Sequence, residues 1–314
     1  MSKDRIETEA YKVSSEIEDK IYKEDSYFYK PWQFADYELS TCTLKTTYEE
    51  IYILGSQQAM FRPGFKVEQK KVYMPNIFAK ISGVHRSKRR YRKEVKALRK
   101  APNTLFFQSF PLFKAMPPKP ANKMYHSVLD SSGYIDKRKL ITSSFWKYRQ
   151  LRTSVQALIA DKIIDFCSLT RFKNYELWSD IPKKSILNNI TGFLQNFEII
   201  INLNPNDKSY EGAKIKVFDI LNDIEEPLIK LLGSFDYPFN VPKIVVYNNG
   251  SKFSKITFAD AVKLAFMNSL GIDVIVYNPA GFNDIEDFIR EGYYDGFRLE
   301  QVAYNFSYSF WTLF

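Results

Sequence analysis

Two short apolar runs separated by a helical pattern dominate the last third of the chain. The first, KIVVY at residues 243–247, is rich in β-branched residues and is bounded by polar segments, as expected of a strand buried on both faces. The second, IDVIVY, occupies residues 272–277. Between them, Thr257 and Asp260 have the spacing of a capping box, which predicts a helix that ends before Gly271.

This order of elements predicts where the chain leaves the sheet. A crossover of this length joins parallel strands, and such crossovers are right-handed in nearly all proteins. The loops after Tyr247 and Tyr277 should therefore emerge at the same edge of the sheet. Open α/β sheets bind ligands at that carboxyl edge. A short helix is expected to follow in DIEDFIREG, residues 284–292.

Helical periodicity also marks two segments upstream. Tyr91, Val95 and Leu98 recur at spacings of four and three, which predicts an amphipathic helix from about Lys88 to Lys100. An apolar stripe over about residues 143–169 predicts a long core helix.

These elements predict an α/β protein with a Rossmann-like, parallel-sheet C-terminal half and a helix-rich N-terminal half. The first residues carry alternating charges, and four prolines between residues 111 and 120 indicate a rigid connector. We therefore predict three segments. They are a charged N-terminal arm or helix at residues 1–26, a basic subdomain with the Pro-rich connector at residues 27–120, and an α/β domain with the long core helix at residues 121–314.

The composition indicates a folded protein of the cytoplasm. Hydrophobic residues make up 45% of the 314 positions and aromatic residues 16%, which supplies ample apolar surface for burial. Cys42 and Cys167 are far apart and form no CxxC, so neither a disulfide framework nor a zinc site is predicted. The chain start has no apolar core of a signal peptide, and no apolar stretch approaches the length of a membrane span.

Most of the net charge of +9 is concentrated in one segment. Residues 86–100, RSKRRYRKEVKALRK, contain nine Lys or Arg and a single Glu. This segment can pair with nucleic-acid phosphates, anionic lipid or a polyanionic metabolite, or it can be a solvated helix face or a contact with an acidic partner. Because Tyr91 is its only aromatic residue, sequence-specific nucleic-acid recognition is not favoured. The predicted anion-binding residues are Arg86, Lys88, Arg89, Arg90, Arg92 and Lys93.

The loop NPAGFNDIE after the second apolar run is the best candidate ligand site. Glycine permits a tight turn, and asparagine side chains can both donate and accept hydrogen bonds. The same loop can instead be a structural turn in which Asn283 or Asp284 caps the next helix. Arg298 can clamp a phosphate or carboxylate, or it can form an ion pair with Asp295 or Glu300. The predicted ligand-binding residues are Asn248, Asn249, Gly250, Asn278, Gly281, Asn283, Asp284 and Arg298.

Established catalytic signatures are missing from the sequence. There is no GxGxxG, GxxxxGK[ST], GxSxG or HExxH motif. His85 and His126 lie in no metal-ligand spacing, which favours surface or hydrogen-bonded roles for both. The sequence therefore identifies no catalytic residue, metal site or cofactor, and whether the protein is an enzyme stays open.

Three stretches carry a resemblance to a known family. FDYPFNVPKIVVYNNG, ADAVKLAFMNSLGIDVIVYNPAGFNDIE and GFRLEQVAYNFSY resemble the Bacillus YceG-like family, most closely over residues 235–308. That family is regarded as a component of the biosynthetic module associated with tellurite resistance, and it is unrelated to the lytic transglycosylase of the same name. The resemblance implies a bacterial cytoplasmic protein of a metal- or envelope-stress operon, and it transfers no catalytic residue.

The sequence supports two hypotheses about function. In the first, a stress-module protein binds a nucleotide, sugar nucleotide or other phosphorylated metabolite between the two halves. A transferase is the class of enzyme that this hypothesis includes. In the second, a non-enzymatic protein docks its basic helix on an acidic protein partner, nucleic acid or an anionic membrane. Steep loss of affinity with rising salt would distinguish the second from the first.

Overall fold

The computed structural model describes five stretches of the chain. They are residues 37–114, 121–173, 210–234, 240–249 and 255–308. The predicted arm at residues 1–26 and Gly250 lie outside the described residues.

The described residues form eight strands and eight α-helices. The strands are β1 (Glu38–Thr43), β2 (Lys66–Glu68), β3 (Lys71–Asn76), β4 (Phe78–Ser82), β5 (Thr104–Phe107), β6 (Lys243–Tyr247), β7 (Asp273–Asn278) and β8 (Asp295–Arg298). The helices are α1 (Tyr48–Ser56), α2 (Lys88–Lys100), α3 (Ala121–Ser127), α4 (Lys137–Thr142), α5 (Thr153–Phe166), α6 (Tyr210–Asn222), α7 (Glu226–Gly233) and α8 (Phe258–Ser269). Two 3-10 helices span Ala59–Phe61 and Ile285–Asp287.

A five-stranded parallel sheet forms the centre of the protein. Its strand order is β5-β6-β7-β4-β8, and every neighbouring pair is parallel. The predicted pairing of the two late strands is confirmed, with Tyr247 opposite Tyr277. A smaller sheet, in the order β1-β3-β2, lies upstream in the chain. The α/β class is therefore confirmed, and the sheet is Rossmann-like in its parallel strands and helical crossovers.

The two faces of the central sheet bury separate clusters of side chains. On β6 and β7, Val245 and Ile275 pack with α1 and α2 on one face. Their neighbours Ile244 and Val274 pack with α5, α6, α7 and α8 on the other face. Because successive residues of a strand point to opposite faces, the continuous apolar runs match a sheet covered on both sides.

The adjacent strands β4 and β7 mark the point where the connections diverge. The chain leaves β4 toward α2, whose Tyr91 packs on the face that holds Ile275. It leaves β7 toward a 3-10 helix, whose Ile285 belongs to the opposite cluster. In open α/β sheets a crevice at the carboxyl ends of two such strands is the usual ligand position. We call this place the switch point.

The predicted cap of α8 is confirmed. Thr257 Oγ1 accepts a hydrogen bond from the Asp260 amide, and the Asp260 carboxylate accepts one from the Thr257 amide. The other oxygen of Asp260 accepts from the amide of Leu112 at 2.9 Å, which ties a distant loop to the helix start. Gly271 follows the helix with a φ of +96°, a conformation that favours glycine.

Two predicted helices are shorter than their sequence patterns. The helix predicted over residues 143–169 begins only at Thr153. The side chain of Gln156 donates to the carbonyls of Arg149 and Leu151. This side chain, and not a longer helix, therefore satisfies these backbone groups. The apolar residues before Thr153 enter the core from that turn.

The helix predicted over residues 284–292 is reduced to the 3-10 turn Ile285–Asp287. Just after that turn, Ile289 forms an isolated β-bridge with Phe172, and the amide of Arg290 donates to the carbonyl of Arg171 at 2.9 Å. The Arg290 amide and the Phe288 carbonyl, which a longer helix would use, are therefore bonded to another segment. Tertiary pairing has replaced the local pattern.

The central sheet draws strands from both sides of the predicted boundary near residue 120. β4 and β5 come from residues 27–120, and β6, β7 and β8 come from residues 121–314. The division into three segments stays a prediction. Within the described residues, no helix combines the length and apolar character that crossing a membrane requires.

Candidate functional site

The exits of the central strands lie side by side at the carboxyl edge of the sheet. The amide of Asn248 donates to the carbonyl of Tyr277 at 2.8 Å, and the amide of Gly83 donates to the carbonyl of Asn278 at 2.8 Å. The expectation that the loops after β6 and β7 share one edge is therefore confirmed. The exit of β4 lies there as well.

The polar residues of these exits form a buried cluster. Asn278 Nδ2 donates to Asp284 Oδ2 at 2.6 Å, and Asn248 Nδ2 donates to the same oxygen at 3.3 Å. Asn278 Oδ1 accepts from the amide of Gly281 at 2.9 Å, and Gly281 has the positive φ of +68° that this tight turn needs. Asp284 Oδ1 accepts from the amide of Ile285, so Asp284 caps the next turn as the structural interpretation expected.

Lys80, in the middle of β4, supplies the charge that balances this cluster. Its side chain is buried, and Nζ lies 3.0 Å from Asp284 Oδ1 and 2.9 Å from the Phe282 carbonyl that it donates to. It also forms an ion pair with Glu286. Lys80 and Glu286 were not among the residues predicted from the sequence. The available signal was a lone lysine inside the apolar run FAKIS.

The two carboxylates around Lys80 have opposite pKa shifts. Burial raises the pKa of Asp284, although the Lys80 ammonium opposes the change. Burial would also raise the pKa of Glu286, but the hydrogen bonds from Lys80 and from the Asp284 amide outweigh it and lower that pKa. Paired acids with separated pKa values occur at acid–base sites and also in structural ion networks.

The other predicted ligand-binding residues lie nearer the solvent. Gly281, Asn283 and Arg298 are exposed, and Asn249 is half-buried. No ion pair joins Arg298 to a carboxylate within the part of the chain that the structure describes. Its two predicted partners are engaged elsewhere. Asp295 accepts hydrogen bonds from Lys45 and Thr46, and Glu300 lies 3.1 Å from Nδ1 of His85.

His85 follows β4 and has the hydrogen-bonded role that the sequence favoured. Its Nε2 lies 2.9 Å from the hydroxyl of Tyr48, and that hydroxyl donates to Glu94 at 2.5 Å. Burial is the main cause that raises the pKa of Tyr48. This chain of contacts joins α1, α2 and the segment after β8.

Residues 299–308, which we call the C-terminal strap, cross the carboxyl edge of the sheet. Val84 after β4 exchanges backbone hydrogen bonds with Gln301. The amide of Ala303 donates to the carbonyl of Pro279 after β7, at 2.8 Å. The strap therefore covers the exits that the sequence pointed to as the ligand site.

The strap carries apolar side chains that face solvent. Tyr304 is 65% exposed, Val302 is 46% exposed, and Phe282 of the neighbouring loop is 49% exposed. The rings of Phe282 and Tyr304 are 5.5 Å apart between centroids. These three residues form a patch of exposed apolar side chains beside the switch point. We call it the aromatic patch after the rings of Phe282 and Tyr304.

One face of α2 anchors the helix to the sheet. Tyr91, Val95 and Leu98 are buried at the predicted positions, and the helix spans the predicted residues Lys88–Lys100. The side chain of Ser87 accepts from the amide of Arg90 and caps the start of the helix.

A second face of α2 holds the strap. Arg92 Nε donates to the carbonyl of Ser307 at 3.0 Å, and its guanidinium lies 4.6 Å from the centroid of the Phe306 ring. Lys88 Nζ lies 5.4 Å from the same centroid. Farther along, the guanidinium of Arg99 lies 5.3 Å from the ring centroid of Tyr308. These three cations form cation–π contacts or hydrogen bonds with other residues of the chain.

The third face of α2 is an open cationic stripe. Arg89, Lys93, Lys96 and Lys100 recur at spacings of four, three and four, and all are exposed. Arg86 is exposed just before the helix. Within the described ranges these five side chains have no carboxylate partner.

The structure therefore divides the predicted anion-binding residues into two groups. Arg86, Arg89 and Lys93 belong to the open stripe, and the sequence analysis missed Lys96 and Lys100, which continue the same spacing. The remaining three are engaged within the chain. They are Lys88 and Arg92, which contact the strap, and Arg90, whose Nε donates to Glu94 at 2.8 Å.

A family model described as the YceG domain matches residues 45–306 of the chain. The protein belongs to the YceG domain family. The match runs from the turn before α1 to the strap, so the switch point and the cationic stripe both lie inside the YceG domain.

The YceG-family chain is also similar to a protein from Bacillus subtilis (strain 168) that bears the name "Uncharacterized protein YceG". The two are 33% identical over 307 residues, which cover 97% of this chain and 51% of the relative. The chain thus spans about half the length of that curated relative. Among solved structures, none matched this chain.

The YceG domain also contains a cavity away from the switch point, with a volume of about 500 Å³. It lies between the turn before α5 and the start of α7. Glu225 lines it, and one oxygen of this side chain is buried without a hydrogen-bond partner while the other accepts from Lys263. Its lining also includes Trp146, Arg149 and Ile229.

Proposed function

We propose that this YceG-family protein binds a polyanion through the open cationic stripe of α2. The observation that carries the proposal is the unbroken row Arg89, Lys93, Lys96 and Lys100, which extends over about 16 Å of helix. Arg86 prolongs it at the helix start. Among the described residues, no carboxylate neutralises these charges.

A polyanion should bind the stripe because it relieves the repulsion between the cations that the helix holds together. Neighbouring cations on a helix face repel one another, and in the free protein only mobile counterions offset that repulsion. A linear polyanion replaces many counterions at once and releases them to the solvent, which drives binding. The helix that carries the stripe is held in place because Tyr91, Val95 and Leu98 on its opposite side pack in the core.

The test is charge reversal of the stripe. A variant with Arg89→Glu, Lys93→Glu and Lys96→Glu should lose binding to heparin and to duplex DNA at low salt. Binding by the unaltered protein should weaken with salt, with a log–log slope of about −0.9 for each duplex phosphate neutralised. The matched control reverses the exposed Lys123, Arg138 and Lys230, which changes the net charge equally but leaves α2 intact. Equal losses in both variants, or none in the first, would refute the proposal.

A second candidate function is supported by the Lys80 cluster at the switch point. There, a nucleotide, sugar nucleotide or other phosphorylated metabolite would bind at the carboxyl edge, and Asp284 and Glu286 would serve as an acid and a base for group transfer. Their opposite pKa shifts support this role. Because Asp284 is buried, its carboxylate would have to become accessible for this role. The ligand contacts would be Asn248, Asn249, Gly250, Asn278, Gly281, Asn283 and Arg298.

Thermal shifts with a panel of nucleotides, sugar nucleotides and phosphorylated metabolites test the second candidate. A ligand at about 100 times its dissociation constant stabilises the folded protein by about 2.7 kcal/mol. Arg298→Ala should weaken the shift without unfolding the protein, since Arg298 is exposed. Arg290→Ala, at another exposed arginine, is the control. A panel without any stabilising compound would count against this function.

The family resemblance also supports a cytoplasmic role in a stress module linked to tellurite resistance. Disruption of the gene in its host should then lower survival in tellurite, and a plasmid copy should restore it. Unchanged survival would remove this part of the proposal.

A further inference from the structure

The geometry points to single-stranded nucleic acid as the polyanion that the protein binds, with unpaired bases stacked on Phe282 and Tyr304 and phosphates on the cationic stripe. This inference rests on the function proposed for α2. It adds a class of ligand and a second part of the binding surface, neither of which the stripe alone supplies.

The aromatic patch is the first observation. Phe282 and Tyr304 keep about half or more of their surfaces in solvent, although burial of an aromatic ring is strongly favourable. They belong to different segments, the loop after β7 and the strap, and yet their ring centroids are 5.5 Å apart. An exposed cluster of large apolar side chains on a folded protein usually marks a binding surface.

The second observation is that the patch is physically joined to α2. Lys88 Nζ donates to Gln301 Oε1 at 2.7 Å, three residues before Tyr304. Phe306, two residues after Tyr304, lies beneath the guanidinium of Arg92. Since two residues of chain span at most about 7 Å, the backbone of Tyr304 lies close to the side of α2 that carries Lys88 and Arg92.

Exposed ring faces and a row of open cations, joined through the strap and α2, match the chemistry of an unpaired nucleotide chain. Every base offers a flat face for stacking, and every nucleotide carries one phosphate charge. In a duplex the base faces are hidden by stacking, so only the phosphates would be contacted there. A peptide whose side chains are all acidic would satisfy the cations but would leave both rings without a matching partner.

The arrangement also predicts tolerance of base sequence. Stacking on an aromatic ring does not depend on the pattern of donors and acceptors at a base edge. Base identity should therefore have little effect on affinity, while removal of the bases should have a large one. This separates the inference from simple attraction between charges.

Fluorescence anisotropy with three labelled probes tests the inference on the full chain. They are a 20-nucleotide oligothymidylate, an abasic strand of the same length and charge, and a 20-base-pair duplex. We expect the unaltered protein to bind oligothymidylate at least about tenfold more tightly than the abasic strand, as expected when two bases stack. Phe282→Ala combined with Tyr304→Ala should remove this preference and leave abasic binding unchanged.

Three variants make the outcome specific. Tyr134→Ala removes another exposed tyrosine, in the hairpin before α4, and should have no effect. Tyr304→Trp, which keeps a stacking face, should preserve the preference. The triple reversal of Arg89, Lys93 and Lys96 should weaken binding to all three probes. Thermal melting confirms that each variant is folded.

The result separates the two proposals. Equal affinity for oligothymidylate and the abasic strand, together with sensitivity to the triple reversal, would overturn the inference and leave the cationic stripe as a polyanion site. Insensitivity of all three probes to the triple reversal would overturn both. Binding to vesicles of phosphatidylserine and phosphatidylcholine that needs Phe282 and Tyr304, without oligonucleotide binding, would overturn the inference in favour of a membrane surface.

Discussion

At the scale of single residues, a buried ion pair fastens the amino edge of the central sheet. Arg62 Nη2 lies 2.6 Å from Asp273 Oδ2, and both side chains are fully buried. Asp273 also accepts from the amide of Ile77 at 3.0 Å, and Arg62 donates to the carbonyls of Leu54 and Pro75. One carboxylate therefore holds residues 54–77 to the start of β7, although the two segments are far apart in the sequence.

Replacement of that carboxylate should be strongly destabilising. We expect Asp273→Ala to lower the free energy of unfolding by about 3–5 kcal/mol, because it leaves the Arg62 charge buried and unpaired. Urea denaturation measures the change. The control is Glu38→Ala, which breaks the exposed pair of Glu38 with Lys71 and should have no measurable effect. Similar losses in the two variants would contradict the expectation.

Lys243, at the start of β6, should make stability depend on pH. Burial lowers its pKa to about 8, although Asp273 at 4.0 Å opposes the shift. Between pH 8 and the usual lysine pKa of about 10.4, the unfolded chain binds a proton that the folded protein does not. Stability contributed by this residue should therefore rise with pH across that window.

The difference between the unaltered protein and Lys243→Met isolates this contribution. Buried tyrosines with raised pKa values, such as Tyr247, act in the opposite direction above pH 10 and cancel in the difference. Between pH 7.5 and 10.5, the urea midpoint of the unaltered protein should rise relative to that of Lys243→Met as pH increases. The same trend should appear in different buffers. Parallel curves would show that Lys243 does not titrate as described.

At the scale of elements, α2 illustrates what local pattern can and cannot show. The spacing of Tyr91, Val95 and Leu98 predicted the helix and its buried face, because helical periodicity is a property of the local sequence. The same segment contains cations that contact the strap and cations that face solvent. That division depends on Phe306 and Tyr308, more than 200 residues later.

The strap should loosen when its contact with α2 is removed. Arg92→Ala deletes a hydrogen bond to Ser307 and a cation–π contact with Phe306, together worth about 1–2 kcal/mol. Amide hydrogen exchange over residues 303–308 should become about 5–30-fold faster. Lys93→Ala, at the adjacent open position, should leave exchange unchanged. Faster exchange in the control would mean that the loss of charge matters instead of the contact.

At the scale of the whole molecule, the two cysteines differ in their exposure to solvent. Cys42 is exposed, whereas Cys167 is buried at the end of α5, where burial raises the pKa of its thiol to about 12. A thiolate is the reactive form, so Cys167 should be inert in the folded protein.

Labelling with a thiol-reactive disulfide tests this separation. The native protein should react at one thiol quickly, and the Cys42→Ser variant should react only as fast as the molecule unfolds. Addition of urea should then expose the second thiol in step with loss of the fold. Rapid labelling of native Cys42→Ser would show that the core around α5 opens locally.

Much of the architecture was predictable, whereas the candidate site was predictable only in outline. The late strands and the α8 cap were found because continuous β-branched runs and capping residues are local signals. The shortened helices were not, because apolar periodicity does not show that the Gln156 side chain bonds the carbonyls of the preceding turn or that Ile289 forms a bridge with the distant Phe172. The loop residues Asn278 and Asp284 were named together as site residues, but their hydrogen bond to each other and their burial required the tertiary structure.

The α/β class, the parallel pairing of β6 and β7 and the concentration of charge on α2 could all be predicted from the order of residues. These follow from residue types within short windows. Contacts in the folded chain were needed to show that Lys80 pairs with Asp284 at the switch point, which cations of α2 remain open, and that the rings of Phe282 and Tyr304 meet. The physical reason is that burial and pairing are properties of contacts between distant segments, and no local pattern encodes them.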